Sequence, residues 1–207
     1  MAHIILLGDS IFDNAVYTDG GPDVVSQVQE LLPQGSRATL LAVDGSTTQD
    51  IPSQVEKIPS DATHLVLSVG GNDAIMNSDL LLKASASTLP VLANLSEAFE
   101  ANYRRAVEAC RSTSLPLGIC TIYNGHFPDF EYQRLASTAL AIFNDAILRV
   151  AFELRSTVID LRLICRSPED YANPVEPSSI GGAKIARCIL ELLRESNKEK
   201  AIVISRP

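Results

Sequence analysis

The sequence predicts an α/β fold in which a parallel sheet carries helices on both faces. Five short runs rich in Ile, Leu and Val indicate strands: HIILLG, ATLLAV, HLVLSV, LGICTI and TVIDL. Each run is apolar at consecutive positions rather than alternate ones, which is typical of strands buried on both faces. Segments with helical periodicity separate these runs. Such alternation favours right-handed crossovers within one doubly wound, three-layer sheet of five parallel strands.

The helical segments follow the strands in order. They are DVVSQVQELL, IPSQVEKI, LSEAFEANYRRAVEAC, EYQRLASTALAIFNDAILRVAFEL and IGGAKIARCILELLRE. Asn94 and Glu97 have capping-box spacing, so we expect the third helix to begin just after Asn94. Ser178 or Ser179 is expected to cap the last helix.

Two further segments extend this pattern. Residues 77–95 are too long for a plain loop, and predict either a lid facing the substrate or a short extra helix packed on the core. The tail AIVIS predicts a sixth short strand at a sheet edge. An open edge can pair with a second copy, so a homodimer is a further hypothesis.

Composition and charge limit the domain count and the partners. A chain of 207 residues without a linker predicts a single domain over residues 1–207. Its net charge of −8 argues against nucleic acid and against an anionic membrane surface as partners, because both attract basic patches. The four cysteines form no CxxC pair, which argues against a zinc site or a disulfide framework. With a strand beginning almost at the N-terminus, we expect a cytoplasmic protein.

Small and polar residues follow several of the predicted strands. Ligands of open α/β sheets bind beyond the carboxyl ends of the strands, so these residues should meet at one rim. The segments are Gly8-Asp9-Ser10, Asp44-Gly45-Ser46, Gly70-Gly71-Asn72-Asp73, Tyr123-Asn124-Gly125-His126 and residues 162–177.

Ser10 is the candidate nucleophile at this rim. A serine in a strand-to-helix turn presents its Oγ to a ligand, although a helix cap or a phosphate-binding loop would use the same residues. The Gly45 N–H and the Asn72 side-chain amide, together with the Ser10 N–H, can form an oxyanion hole.

These three blocks resemble those of the SGNH, or GDSL-type, hydrolases. GDSI is similar to the family's first block around the nucleophile, VDGSTT to the second with its glycine, and VGGND to the third with its asparagine. The resemblance continues through IFNDAI and VIDL to the last helix. It implies a flavodoxin-like fold and hydrolysis of ester or acyl groups of a small-molecule substrate, without a metal or other cofactor.

The resemblance fails at the general base. The family carries an Asp-x-x-His pair just before the last helix, whereas Asn173 and Glu176 occupy the matching positions here. His3 and His64 begin strands and should lie at the opposite end of the sheet. His126 follows the fourth strand on the rim of the nucleophile, so it is the one histidine expected to reach the site.

Several interpretations of this departure stay open. Burial can raise the pKa of Glu176 and make it a base, or Glu176 can orient His126 in a Ser-His-Glu relay. Asp170 is a further acid in the same loop. An ester or acyl hydrolase is the leading hypothesis. The alternatives are an acyltransferase that shares the acyl-serine step, and a non-catalytic protein that binds an acyl or glycan ligand.

Overall fold

A computed structural model describes residues 1–76, 88–193 and 203–204. Its sheet has six parallel strands in the order β2-β1-β3-β4-β5-β6. The strands are β1 His3–Gly8, β2 Arg37–Leu40, β3 His64–Ser68, β4 Leu117–Cys120, β5 Thr157–Ile159 and β6 Val203–Ile204. The predicted parallel sheet is confirmed, and its sixth strand lies at the edge beside β5.

The helices cover both faces of this sheet. They are α1 Val24–Leu31, α2 Ile51–Val55, α3 Gly71–Ile75, α4 Thr88–Arg111, α5 Phe130–Glu153, α6 Leu161–Ile164 and α7 Ser179–Glu191, with 3-10 turns at Ala15–Tyr17 and Pro168–Asp170. On one face α1 packs against α7, and on the other α4 packs against α2 and α5. Alternate residues of β1 serve the two cores: Ile5 packs with α5, whereas Ile4 packs with α1 and α7.

Two helix starts test the capping predictions. Ser178 caps α7, with its side chain accepting from the N–H groups of Ile180 and Gly181. The start predicted at Asn94 is wrong, because α4 begins at Thr88 and continues through this position. The lid or extra helix predicted over residues 77–95 therefore includes the first residues of α4, and its part at 77–87 lies outside the described residues.

Helix α5 is rich in apolar residues and packs on one face of the sheet. By length and composition alone this 24-residue helix could cross a membrane, because an 18-residue window within it has a mean hydropathy of 1.5. The buried residues Phe143, Ala146, Ile147 and Val150 pack on the sheet with the β-strand core. The core helix of a soluble protein can have the same length and composition. The hydropathy of α5 therefore does not distinguish a core helix from a membrane-spanning helix.

The strand order reverses between β1 and β3. The chain runs from β1 outward to β2 and then returns to place β3 on the other side of β1. Ser10 follows β1, and Asn72 lies in α3, just after β3. Both residues therefore lie at the switch point where α/β sheets bind ligands.

Candidate active site

Ser10 lies in a tight turn that only glycine at position 8 permits. Gly8 has a φ of +131°, and a Cβ on it would lie 1.8 Å from the carbonyl oxygen of Ser68. Beyond it, the Asp9 N–H donates to this same carbonyl at 3.1 Å. The Asp9 carboxylate accepts from the Ile11 N–H at 3.1 Å, which closes the turn around Ser10.

A hydrogen bond joins Ser10 to Glu176. The Ser10 Oγ donates to Glu176 Oε1 at 3.1 Å, and both side chains are buried. The second carboxylate oxygen, Oε2, is also buried and accepts no hydrogen bond from the described residues. Glu176, which occupies the position of the family's histidine, therefore contacts the candidate nucleophile directly.

The loop that carries Glu176 is held by its own backbone and by one tyrosine. Asn173 Oδ1 accepts from the N–H groups of Val175 and Glu176, both at 2.9 Å. The Glu176 carbonyl accepts from the Ala172 N–H at 2.9 Å. The Tyr123 hydroxyl donates to the Val175 carbonyl at 2.7 Å, so the loop after β4 supports the glutamate. Asn173 thus positions Glu176 through its backbone.

Burial changes the acidity of two carboxyl groups at this site. It raises the pKa of Glu176 from 4.5 to about 7; the hydrogen bond from Ser10 opposes this rise and the charge of Asp44 adds to it. Burial likewise raises the pKa of Asp9 from 3.8 to about 8, opposed by the Ile11 N–H and increased by the charge of Glu176. At neutral pH, Glu176 is therefore part ionised while Asp9 holds its proton.

The three N–H donors predicted for the oxyanion hole follow β1, β2 and β3, and two of them, those of Ser10 and Asn72, belong to residues that line the cavity. Asn72 Nδ2 donates to the Ser46 carbonyl at 2.9 Å, which fixes the amide and leaves its second N–H. Asn72 and Ser10 line the same cavity. Gly45 has a φ of +82° and open space where a Cβ would lie. Among the described residues, no acceptor binds the backbone N–H of Ser10 or of Gly45.

A buried glutamine of α2 connects the loop after β2 to β1 through hydrogen bonds. Gln54 Oε1 accepts from the Gly8 N–H and its Nε2 donates to the Gly8 carbonyl, both at 2.8 Å. The same Nε2 contacts Ser46 Oγ at 3.2 Å. Sequence reasoning missed Gln54, and the one available signal is a polar residue on the inner side of α2.

The cavity beside Ser10 is mostly apolar and has a volume of about 110 Å³. Residues from β3, α3, the loop after β4 and α5 form its wall. The apolar side chains include Val69, Ile75, Ile122, Leu135, Ala139 and Leu140. Such a wall suits the hydrocarbon part of a ligand, and Ser10 and Glu176 supply polar groups to the same cavity.

The other candidate acids and bases lie elsewhere. His126 is exposed, and its ring stacks on Tyr171 with 6.1 Å between centroids. It lines a neighbouring pocket, and its ring makes no hydrogen bond to the described residues. Asp170 is buried and pairs with Lys184 Nζ at 2.6 Å, away from the Ser10–Glu176 contact.

The remaining histidines lie as predicted at the amino ends of the strands. His3 Nε2 contacts Thr39 Oγ1 at 2.8 Å, and His64 Nδ1 contacts Thr63 Oγ1 at 2.8 Å. Within residues 1–76 and 88–193, no group of three His, Cys, Asp or Glu side chains could hold a metal ion.

Comparison with known proteins identifies the family. A sequence model of the GDSL-like lipase/acylhydrolase family matches residues 6–181. The chain belongs to this family. This GDSL-like protein thus belongs to a family of hydrolases that act on ester or acyl bonds. No curated protein sequence matches it.

Solved structures of low sequence identity share the fold of this GDSL-like hydrolase. An extracellular lipase from Streptomyces rimosus is 15% identical, with a TM-score of 0.67 over 95% of this chain and 100% of that chain. A lipase from a goat rumen metagenome is 22% identical, with a TM-score of 0.69 over 94% and 96%. A GDSL-family lipolytic protein from Veillonella parvula is 21% identical, with a TM-score of 0.68 over 94% and 100%.

Proposed function

We propose that the protein hydrolyses carboxylic esters through Ser10, with Glu176 as the general base in place of a histidine. The observation that carries this proposal is the buried hydrogen bond of 3.1 Å from Ser10 Oγ to Glu176 Oε1. A general base must lie within hydrogen-bond reach of the proton that it removes, and a pKa near the working pH makes it effective. The pKa of about 7 meets the second condition.

The proposed reaction has two steps. The Ser10 Oγ bonds to the carbonyl carbon as its proton passes to Glu176, and the negative charge forms on the carbonyl oxygen. The C–O bond to the leaving group then breaks, and Glu176 returns the proton to the departing oxygen. In the second step, water attacks the acyl-serine, loses its proton to Glu176 and releases the acid, while the proton returns to Ser10 Oγ.

The proposed oxyanion hole consists of the N–H groups of Ser10 and Gly45 and the Asn72 side chain. The unpaired backbone donors and the fixed amide of Asn72 support this assignment. A donor fixed before the reaction needs no reorganisation as charge develops, and each can lower the barrier by about 3–4 kcal/mol. The acyl group would lie in the apolar cavity.

Labelling and hydrolysis test the nucleophile and the base separately. We expect a fluorophosphonate to label wild-type protein at Ser10 and to leave Ser10→Ala unlabelled. Glu176→Gln keeps the shape of the base but cannot take a proton, so kcat for p-nitrophenyl acetate should fall about 100-fold or more. His126→Ala is the matched control and should retain activity. A greater loss in His126→Ala than in Glu176→Gln would assign the base to the histidine.

A non-catalytic binding protein is the second candidate. The observation that favours it is the family's histidine position occupied by Glu176, whose Oε1 already accepts from Ser10. If wild-type protein neither hydrolyses the ester nor reacts with the fluorophosphonate between pH 5 and 9, this candidate replaces hydrolysis. Transfer of the acyl group to an added alcohol, measured as ester product, would instead indicate an acyltransferase.

A further inference from the structure

A second pocket lies beside the catalytic cavity, across the chain segment of residues 124–127. Asn124, Gly125 and Phe127 line both spaces, so this segment is their common wall. The second pocket has a volume of about 450 Å³, and its far side is formed by the loop of residues 162–171.

The dividing segment is fixed from two sides. Gln133 of α5 accepts from the Phe127 N–H at 2.8 Å and donates to the Asn124 carbonyl at 3.1 Å. The His126 N–H donates to the Pro174 carbonyl at 2.9 Å, next to the loop that carries Glu176. These hydrogen bonds therefore fix the position of the segment between the two pockets.

The second pocket gathers positive charge in a protein whose net charge is −8. The Arg166 side chain lines it, is exposed, and makes no ion pair or side-chain hydrogen bond to the described residues. Its guanidinium therefore offers all five of its N–H donors. His126 lines the same pocket.

Two buried acidic groups next to this pocket are already paired. Asp160 binds Arg162 through both carboxylate oxygens, at 2.8 and 2.6 Å. Asp170 pairs with Lys184 and accepts from the N–H groups of Arg166 and Ser167. Among the described residues, Arg166 forms no ion pair with these two acids or with the exposed Asp129 and Glu169.

An aromatic surface completes the pocket. The Tyr171 ring stacks with His126 on one side and meets Tyr123 edge-on at 5.1 Å between centroids. Its hydroxyl donates to the Cys165 carbonyl at 2.7 Å, which holds the ring in place. A planar or ring-shaped ligand could pack on this surface while its anionic group meets Arg166.

We propose that the second pocket is a subsite for an anionic group, a carboxylate or a phosphate, on the leaving-group side of the ester. This inference rests on the proposed function, because the apolar cavity at Ser10 then takes the acyl side. Arg166 supplies the principal charge and Tyr171 the packing surface. The substrate class is an ester of an apolar acid with an acidic alcohol or phenol.

A pair of chromogenic esters tests this preference. 2-Nitrophenyl octanoate is neutral, whereas 3-octanoyloxy-4-nitrobenzoate differs from it only by a carboxylate on the leaving group. After division by the alkaline hydrolysis rates, we expect wild-type kcat/KM to favour the anionic ester about tenfold. Arg166→Gln should bring that ratio close to one. Arg187→Gln removes an exposed arginine of α7 outside the pocket and should keep the wild-type ratio.

Direct binding separates this proposal from the proposed catalysis. Ser10→Ala protein should bind 3-hydroxy-4-nitrobenzoate by calorimetry, and a second substitution, Arg166→Gln, should weaken binding about tenfold. Inorganic phosphate should compete, and competition stronger than that of benzoate would make phosphate the natural group. Binding without any ester hydrolysis would retain the subsite and overturn the hydrolase. Hydrolysis with equal ratios in wild-type protein and Arg166→Gln would overturn the subsite.

Discussion

The pH dependence of ester hydrolysis should follow the ionisation of Glu176. With a pKa of about 7, about 1% of this carboxylate is ionised at pH 5 and about half at pH 7. Because only the ionised form can accept the Ser10 proton, kcat/KM should rise about 100-fold from pH 5 to its plateau. A glutamate with the ordinary pKa of 4.5 would already be mostly ionised at pH 5, and the rise would be less than about twofold.

Two variants show which group is responsible. The charge of Asp44 contributes to the raised pKa of Glu176, so Asp44→Asn should move the midpoint of the profile to lower pH. His126→Ala should leave the midpoint in place, because the exposed ring has no hydrogen bond to the Ser10–Glu176 pair. This control is necessary since an ordinary histidine titrates near pH 6.5, close to the expected midpoint.

The assay is kcat/KM for 2-nitrophenyl octanoate from pH 4.5 to 9 in buffers of constant ionic strength. Nitrophenol release is read at its isosbestic wavelength, so that the ionisation of the product does not alter the signal. A flat profile above pH 5.5, or a midpoint that moves in His126→Ala and not in Asp44→Asn, would refute the assignment of Glu176 as the base.

Three further variants test the oxyanion hole, the hydrogen bonds from Gln54 to Gly8, and the buried carboxyl group of Asp9. Asn72→Ala should lower kcat about 100- to 1000-fold with little change in KM, measured by steady-state kinetics, whereas a change in KM alone would contradict its role. Gln54→Ala removes the partner of the Gly8 N–H and one of two donors to the Gly8 carbonyl, which also accepts from the Val43 N–H at 3.0 Å, so urea unfolding should show a loss of about 1–3 kcal/mol. Asp9 binds its proton more tightly in the folded state, so its contribution to stability is present below pH 3.8 and is lost as pH rises towards about 8. Asp9→Asn should therefore gain about 4 kcal/mol relative to wild type between pH 5 and pH 9, and an equal difference at both pH values would exclude this explanation.

The sheet could be predicted because its signal is local to each strand. HIILLG and HLVLSV are apolar at consecutive positions since helices cover both faces, and the structure buries these strands almost completely. The start of α4 could not be predicted from its caps. The Asn94–Glu97 spacing lies inside a continuous helix, and Pro90 falls in its first turn, where the missing N–H costs no hydrogen bond. The tertiary structure thus overrides a local capping signal.

Chain order could place the candidate residues at one rim of the sheet but could not show which of them pair. Chain order alone places Ser10, Asn72, His126 and Glu176 after β1, β3, β4 and β5, all at one rim. Which acid or base reaches Ser10 depends on how two loops fold across that rim, and residue spacing does not encode this. The structure brings Glu176 into contact with Ser10 and leaves His126 exposed, while their roles in catalysis stay predictions.

Side-chain amides explain how these loops reach fixed positions. Gln54 binds both backbone groups of Gly8, and Asn144 binds both backbone groups of Ile122, at points where the sheet's own ladder ends. Asn14 accepts from the Val24 N–H and donates to the Pro177 carbonyl, next to Glu176. An amide can satisfy one donor and one acceptor without adding charge. A buried ionised side chain in these places would alter the electrostatic field at Glu176. Neutral amides instead support the loop of Glu176 without adding charge, so burial remains the main cause of the raised pKa of this residue.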